Sequence, residues 1–408
     1  MSTQRYIFLI LILGSLTALG PFSIDMYLPG FPAIAKDLHT TTSRVDQSLS
    51  SFFIGLAMGQ LLYGPLMDRF GRKKPLYFGL AAYIVTSVGC ALCRSVDMLI
   101  WLRLLQAIGA CAASVAAMAM VRDLFPVDQN AKVFALLVLV LGASPLIAPT
   151  AGGYLTDAFG WQAVFVVLLS IALLILIAAI FGLPESVEPD HTLSLKPGPI
   201  ISNFISVFRE PQFLTYSLVG ALTFAGLFAY VAGSPLVFME IFHVSGKVYG
   251  WIFAGLSIGF IGSSQVNSLM IRKYKSEQMI RTFAVLQVIA GVIFLTASMN
   301  GWYGIGGTIV NIFVMLSCVG FIAPNASALT LAPFSKNAGS ASALMGAMQL
   351  GIGSFVSFLI SLFSSKSTMP MAAVMAISSV LCLLVLFIGS RMIKTKVEAV
   401  AGEGMMAH

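Results

Sequence analysis

The sequence predicts an all-α membrane protein of twelve transmembrane helices arranged in two six-helix halves. Three observations carry that expectation. The 408-residue chain is 58% hydrophobic and only 10% charged, with a mean hydropathy of +0.94, whereas a soluble domain carries about 25% charged residues. Apolar runs suited to helices of about 20 residues recur at 6–29, 46–66, 76–93, 98–121, 132–156, 162–183, 213–238, 248–271, 279–298, 302–324, 338–363 and 369–389. The longest polar stretch, 184–212, leaves six runs before it and six after it.

The breaks between the runs carry turn and charge signals. His39-Thr-Thr-Thr-Ser43 follows span 1, Asp68-Arg-Phe-Gly-Arg-Lys-Lys74 follows span 2, Phe125-Pro-Val-Asp128 follows span 4 and Ser335-Lys-Asn337 precedes span 11. The 184–212 stretch opens Pro184-Glu-Ser-Val-Glu-Pro-Asp-His and holds four prolines before Arg209-Glu-Pro211. It reads as a linker between repeats. The expected division is an N-terminal half over 1–186, a linker over 187–212, a C-terminal half over 213–395 and a tail over 396–408. A basic turn at Ile271-Arg-Lys-Tyr-Lys275 stands after span 8, where the second half repeats the place of Asp68–Lys74 without its acid and glycine.

Lys and Arg set the orientation. With both termini inside, seventeen of the 23 basic residues fall in inner segments and five in outer loops, and Arg103 lies within a span. The net charge of +7 therefore belongs to membrane topology and does not point to nucleic acid. The five cysteines (90, 93, 111, 318, 382) all lie in apolar runs, so Cys90-x-x-Cys93 reads as helix packing. The four histidines lie outside the spans, and no metal site is expected. Arg5 precedes an apolar run without a clear cleavage site, which argues against a removable signal peptide. A membrane enzyme or sensor is not expected, because there is no phosphate loop, no His-rich cluster and no stretch long enough for a soluble domain.

Asp25 is the most informative residue. It alone among the acids falls inside a long apolar segment, Tyr6 to Pro29. A charge in such a segment costs roughly 2.5–3.5 kcal/mol on insertion scales, which makes it a functional candidate. A carboxylate that loads and releases a proton would drive a proton-coupled transporter. The alternative is an interfacial acid that snorkels to water. Asp25 is 19 residues past Tyr6, about 28 Å at 1.5 Å per residue, and Arg103 is about one turn past the outer start of span 4. Both belong to the outer part of the membrane. Arg103 is then either a tuner of Asp25, through its positive field, or a structural hydrogen-bond anchor.

Gly64-Pro-Leu-Met-Asp68-Arg69-Phe-Gly71-Arg72-Lys73-Lys74 resembles the G-x-L-x-D-R-x-G-R-[RK]-[RK] loop of the major facilitator superfamily. In physical terms its glycines permit close helix approach. Asp68 can face the N-terminus of a helix from the other half, and Arg69 and Arg72 can hold Asp68 and a second acid, Asp123. The resemblance implies a latch on the inner side that breaks during transport. Arg103-Leu-Leu-Gln106-Ala-Ile-Gly109 resembles the superfamily's R-x-x-Q-x-x-G element. Pro145-Leu-Ile-Ala-Pro149-Thr-Ala-Gly152-Gly153 resembles its antiporter motif, with Ala148 replacing one glycine. Two prolines four apart kink a helix and the glycines allow close packing. In the family this motif separates exporters from importers.

Asp25-Met-Tyr27-Leu-Pro-Gly-Phe-Pro32 and Pro324-Asn325 through Gly346-Ala-Met-Gln349 resemble the Bcr/CflA branch of bicyclomycin and chloramphenicol exporters. The likeness covers essentially the whole chain. It implies proton-driven drug efflux across a bacterial inner membrane, with Asp25 as a protonation site and no cofactor beyond the proton gradient. The partners expected are small-molecule substrate, protons and lipids, and a monomer is the default. Candidates for a substrate cavity are Tyr27, Gln106, Tyr216, Phe224, Phe228, Tyr230, Asn325 and Gln349. An aromatic cavity with few fixed polar groups suits varied ligands, although each aromatic taken alone could equally serve helix packing. A second reading keeps the fold and changes the cargo to a native metabolite such as a siderophore or an amino acid.

Overall fold

The protein is described by a computed structural model covering residues 3–190, 197–334, 338–363, 367–393 and 397. Among these residues every regular element is helical. The chain order is α1 (Thr3–Asp25), α2 (Phe31–Asp37), α3 (Thr42–Phe70), α4 (Lys73–Leu92), α5 (Val96–Leu124), α6 (Val127–Phe159), α7 (Gln162–Gly182), α8 (Pro197–Phe208), α9 (Pro211–Pro235), α10 (Gly246–Met270), α11 (Ser276–Asn300), α12 (Ile305–Leu331), α13 (Ala338–Ser361) and α14 (Met369–Met392). A 3-10 turn, Leu28–Gly30, follows α1, and a π-helical turn, Leu236–Ile241, follows α9.

Ten helices among the described residues are long and apolar enough to cross a membrane. Two more, α6 and α10, have 33 and 25 residues and pack among them. Helices are the expected solution in lipid, because each satisfies its own backbone polar groups. Ser and Thr caps mark several starts: Thr41 accepts from the Arg44 amide, Ser95 from that of Met98 and Ser245 from that of Val248.

The twelve long helices among the described residues form two groups of six. α1, α3, α4, α5, α6 and α7 pack with one another, as do α9 to α14. The groups meet mainly along two seams, α3 against α13 and α6 against α10. Small residues make the close approaches. A methyl group on Gly55 would stand 2.3 Å from the Leu104 carbonyl, and one on Gly109 2.6 Å from that of Gly79. Those glycines bring α3 and α4 tightly onto α5, whose Ala110, Ala112, Ala113, Ala116 and Ala117 are buried.

The polar stretch that the sequence marks as a linker contains a helix, α8. Its Val207 is buried with Phe213 and Ala341, and its Asn203 Nδ2 donates to Ser340 Oγ at 2.8 Å. Prolines at 197 and 199 obscure this helix in the sequence, although proline is tolerated in a first turn.

Candidate functional site

Asp25 is the last residue of α1 and is buried, at 6% exposure. Its hydrogen bond is a long one: Ser144 Oγ, on α6, donates to Oδ2 at 3.5 Å. In front of it lies a cavity of about 1020 Å³. Asp25, Tyr230 and Phe253 line one end, and Asp68, Arg72, Arg122 and Asp123 line the other. Between them the walls are apolar and aromatic, with Phe53, Leu56, Phe224, Leu227, Phe228, Phe260 and Met345. Its uncharged polar groups are scattered, among them Thr17, Gln60, Ser114, Ser257 and Gln349. The Tyr230 hydroxyl is buried without a hydrogen-bond partner. A large apolar hollow with a handful of polar groups is the usual form of a small-molecule site.

The Asp25 end is sealed by close contact between the two helix groups. Phe53 and Phe228 pack with ring centroids 4.6 Å apart and planes inclined by 60°. Ser50 Oγ donates to Ser357 Oγ at 2.8 Å, and Ser354 Oγ donates to the Ser50 carbonyl at 2.9 Å. On the other seam, a methyl on Gly153 would stand 2.6 Å from the Gly246 carbonyl, and one on Gly250 2.7 Å from Thr150 Cα. A methyl on Gly152 would meet the Met26 carbonyl at 2.0 Å, one residue past Asp25. The glycines of the span 5 motif therefore make both the seam and the seat of Asp25. Pro145 lines the cavity, and Pro149 lies where Gly250 crosses α6.

Arg103 does not pair with Asp25. Its Nη1 donates to Gln106 Oε1 at 2.7 Å and its Nη2 to the Ser23 carbonyl at 2.9 Å. The guanidinium lies over the rings of Phe52 at 4.0 Å and Tyr27 at 4.6 Å, where cation–π attraction holds it. Gln106 Nε2 passes the network on to Ser87 Oγ at 2.7 Å, and the Ser23 and Tyr83 hydroxyls are 2.6 Å apart. Of the two readings open in the sequence, the hydrogen-bond anchor is the one these contacts fit. Equal depth brings Asp25 and Arg103 to one level, but the aromatic box turns the arginine toward the helix packing of α1, α3 and α7.

At the open end, Arg72 holds both Asp68 of the basic loop and Asp123 at the end of α5. Its Nη1 meets Asp68 Oδ1 at 2.6 Å and its Nε meets Asp123 Oδ2 at 2.9 Å. Burial works against the Arg72 charge, but the bonds to Asp123 and Asp68 outweigh it and raise its pKa. Glu185, past the end of α7, accepts from the backbone amides of Arg72 at 2.7 Å and Lys73 at 3.3 Å, at the start of α4. Ser186 Oγ donates to Asp123 at 2.8 Å. Gly71 is required here, with φ +81° and its missing methyl position 3.0 Å from the Glu185 carboxylate. Asp68 was expected on a helix start of the other half; it bonds within its own half, and α13 begins across the open mouth. Arg69 lies along the Phe70 ring, and Gly64 lines the cavity wall.

Of the cavity candidates, Phe224, Phe228, Tyr230 and Gln349 line the hollow. Four are elsewhere. Tyr27 is buried beneath Arg103, with its hydroxyl 2.8 Å from Ser48 Oγ, and Gln106 belongs to the Arg103 network. Tyr216 donates to Glu277 at 3.1 Å; it lies two turns before Phe224 and about 80° around the helix. Asn325 donates to Asn267 Oδ1 at 2.6 Å, a polar link between α12 and α10. Missed in the sequence were the lining residue Phe253 and one further acid. Asp46 in α3 is 3% exposed, and neither carboxylate oxygen has a hydrogen-bond partner.

The profile of the Major Facilitator Superfamily matches residues 13–358. The chain is 32% identical to a "Bicyclomycin resistance protein homolog" of Haemophilus influenzae over 399 residues, 97% of this chain and 100% of that protein. It is also 32% identical to the "Uncharacterized MFS-type transporter YdgK" of Bacillus subtilis, over 92% of this chain and 94% of that one. With a "Chloramphenicol resistance protein" of Pseudomonas aeruginosa it shares 29%, over 88% and 85%. Among solved structures, a bacterial homolog of the lysosomal transporter Spinster, in an inward-facing and occupied conformation, matches with a TM-score of 0.73 at 14% identity, over 96% of this chain and 98% of that one. A D-xylose–proton symporter matches at 0.69 and 17%, over 94% and 97%; at such identities the likeness shows the fold alone. The chain belongs to the Major Facilitator Superfamily, in the branch of the bicyclomycin- and chloramphenicol-resistance proteins.

Proposed function

We propose that the protein is a proton-coupled multidrug exporter, a drug/proton antiporter of small amphipathic or neutral compounds. The observation that carries this reading is the geometry of the cavity. A carboxylate with one long hydrogen bond stands at the sealed end of a large apolar hollow that opens at the other end. Substrate in the cavity and a proton on Asp25 cannot both be held at equal strength. A substrate that lies against Asp25 displaces its water and is held best when a polar group of its own donates to the ionised carboxylate, which disfavours the proton. Alternate loading of substrate and proton then couples the two fluxes. Rocking of the two six-helix groups about the cavity exposes it to each side in turn.

Further support comes from the names of two relatives, a bicyclomycin resistance protein homolog and a chloramphenicol resistance protein. The Lys and Arg asymmetry puts both termini and the open mouth in the cytoplasm. With α6 and α10 counted as spans, the twelve helices cross the bacterial inner membrane. The proton gradient is the energy source and no cofactor takes part.

The test uses inverted membrane vesicles carrying the protein and energised to an acid interior. Chloramphenicol, then a panel of unrelated drugs, is added while the pH gradient is followed. Partial collapse in wild type and none in Asp25→Asn is the expected result. Collapse of equal size in both would remove Asp25 from the coupling. Absence of collapse with every drug would transfer the reading to export of a native metabolite.

A further inference from the structure

Asp46 is a second buried acid, and the cavity does not use it. It stands one turn into α3, on the sealed side of the protein, in the seam that α3 makes with the end of α9 and with α13. Ala232, Leu236, Ile360 and Ser361 surround it. Ser357 on α13 faces the carboxyl group from the margin of hydrogen-bond geometry, and that hydroxyl accepts from Ser50. Neither oxygen of Asp46 has a hydrogen-bond partner. The void beside it measures about 10 Å³, at or below the room that one water needs.

The charged groups on the elements around Asp46 have other partners or stay at the rim. Glu240, on the π-helical turn, is bonded by Thr42. Arg44, on α3 itself, is bonded to Asp97 of α5. Asp37 of α2 accepts from Trp161 and Gln162, while Lys36 and His39 stand at the rim beside it and Arg94 follows α4. Among the described residues α13 brings only the hydroxyls of Ser354, Ser357 and Ser361 to this seam. Among the described residues no cation pairs with the carboxyl group.

We propose that Asp46 is a second proton-binding site, separate from Asp25, and that the seam closes only over its protonated form. An ionised carboxylate sealed without water, a hydrogen bond or a counter-charge is the arrangement that proteins avoid. A neutral carboxyl in the same place meets no such penalty. Opening of the seam parts α3 from α9 and α13 and admits water, in which the ionised form is stable. The proton is thus linked to the equilibrium between the sealed and open forms, and reciprocity requires that acid favour sealing. The sign follows from that linkage. Protons bind the sealed form more tightly, so the seam is held shut at low pH and loosens as pH rises.

The experiment is hydrogen–deuterium exchange on the full-length protein in lipid nanodiscs across a pH series, with rates corrected for the intrinsic pH dependence of amide exchange. The readout is protection of residues 43–52 and 354–361. In wild type, protection falls by about tenfold or more over the titration, since each unit of difference in proton affinity is a factor of ten in the equilibrium. In Asp46→Asn, which is neutral and similar in size, these peptides stay protected at every pH. Asp46→Glu, which keeps a titrating group, retains a pH response with a moved midpoint and so separates loss of the proton site from misfolding. Asp25→Asn retains the wild-type response, which keeps this test distinct from that of the coupling site. A wild-type pH response that survives in Asp46→Asn would overturn the proposal. So would protection that does not change with pH, or protection that follows sodium concentration at fixed pH.

Discussion

The two ends of the cavity are held by different physics. At the open end the contacts are charged and local: Arg72 joins Asp68 and Asp123, and Glu185 and Ser186 stitch the start of the linker to the same loop. These groups are in reach of water, where ion pairs are individually weak and salt-sensitive. At the sealed end the contacts are short-range and cross between the helix groups. Glycines bring backbone to backbone, and serines pair hydroxyls over the gap. Such contacts are strong when the surfaces match and vanish when the surfaces separate. A transporter that alternates needs a sealed end that parts cleanly; its seams are mostly hydroxyl and glycine, and the described ion pair across them, Lys247 with Asp157, lies exposed to water at the rim.

Substitutions at the sealed end are expected to have the largest effects. Gly152→Val places a branched side chain where a single methyl already overlaps the Met26 carbonyl. Backbone cannot yield as a flexible side chain can, so the cost exceeds the roughly 1–3 kcal/mol of ordinary overpacking. Drug efflux falls to background and the thermal midpoint drops; a variant that transports normally would show that this contact is not part of the working molecule.

Next in size is the anchor between the ends. Arg103→Met removes a buried charge together with the bonds to Ser23 and Gln106, and leaves their acceptors unpaired. Leaving a buried acceptor unpaired costs about 1–3 kcal/mol, and two are left here. The thermal midpoint falls and the level of folded protein with it, while the protons exchanged per drug by the protein that remains folded are unchanged. A changed proton count at unchanged stability would restore the reading in which Arg103 tunes Asp25.

Smaller effects belong to the open end. Arg72→Gln loses two ion pairs, each worth about 0.2–1 kcal/mol where water reaches them. Raising the salt concentration should weaken the wild type toward the variant in a thermal melt, whereas the Gly152 and Arg103 variants should respond much less to salt. Smallest is Ser50→Ala, which removes one hydroxyl pair of about 0.5–1.5 kcal/mol and shifts the melt slightly. A salt response at the sealed end as large as that at the open end would remove the contrast between them.

Much of this was legible in the sequence. Apolar runs, the polar centre at 184–212 and the Asp68–Lys74 loop give the helices, the two groups and the open-end contacts, because lipid solvation and charge write themselves into composition. Asp25 stands out because an acid in an apolar run is costly. Partners are harder to read. Tyr27 and Gln106 carry the residue types of a binding cavity, yet they serve Arg103, because helical phase decides which face a side chain takes. Asp46 is hidden for a related reason: at the edge of its apolar run it looks like a mouth residue, and only the packing of α13 and α9 over α3 buries it. α8 escapes because its run is too short and too rich in proline to resemble a span.

The measurement that bears most directly on the central claim, that one carboxyl exchanges a proton for substrate, needs no gradient. Purified protein in weakly buffered detergent solution is mixed with chloramphenicol, and with a panel of other drugs, while a pH indicator follows the solution. Release of a proton on binding, saturable in drug, is the expected result for the wild type, with none in Asp25→Asn although the variant still binds; uptake on binding would contradict the exchange. Binding that moves no proton in the wild type, or moves the same number in both proteins, would contradict it.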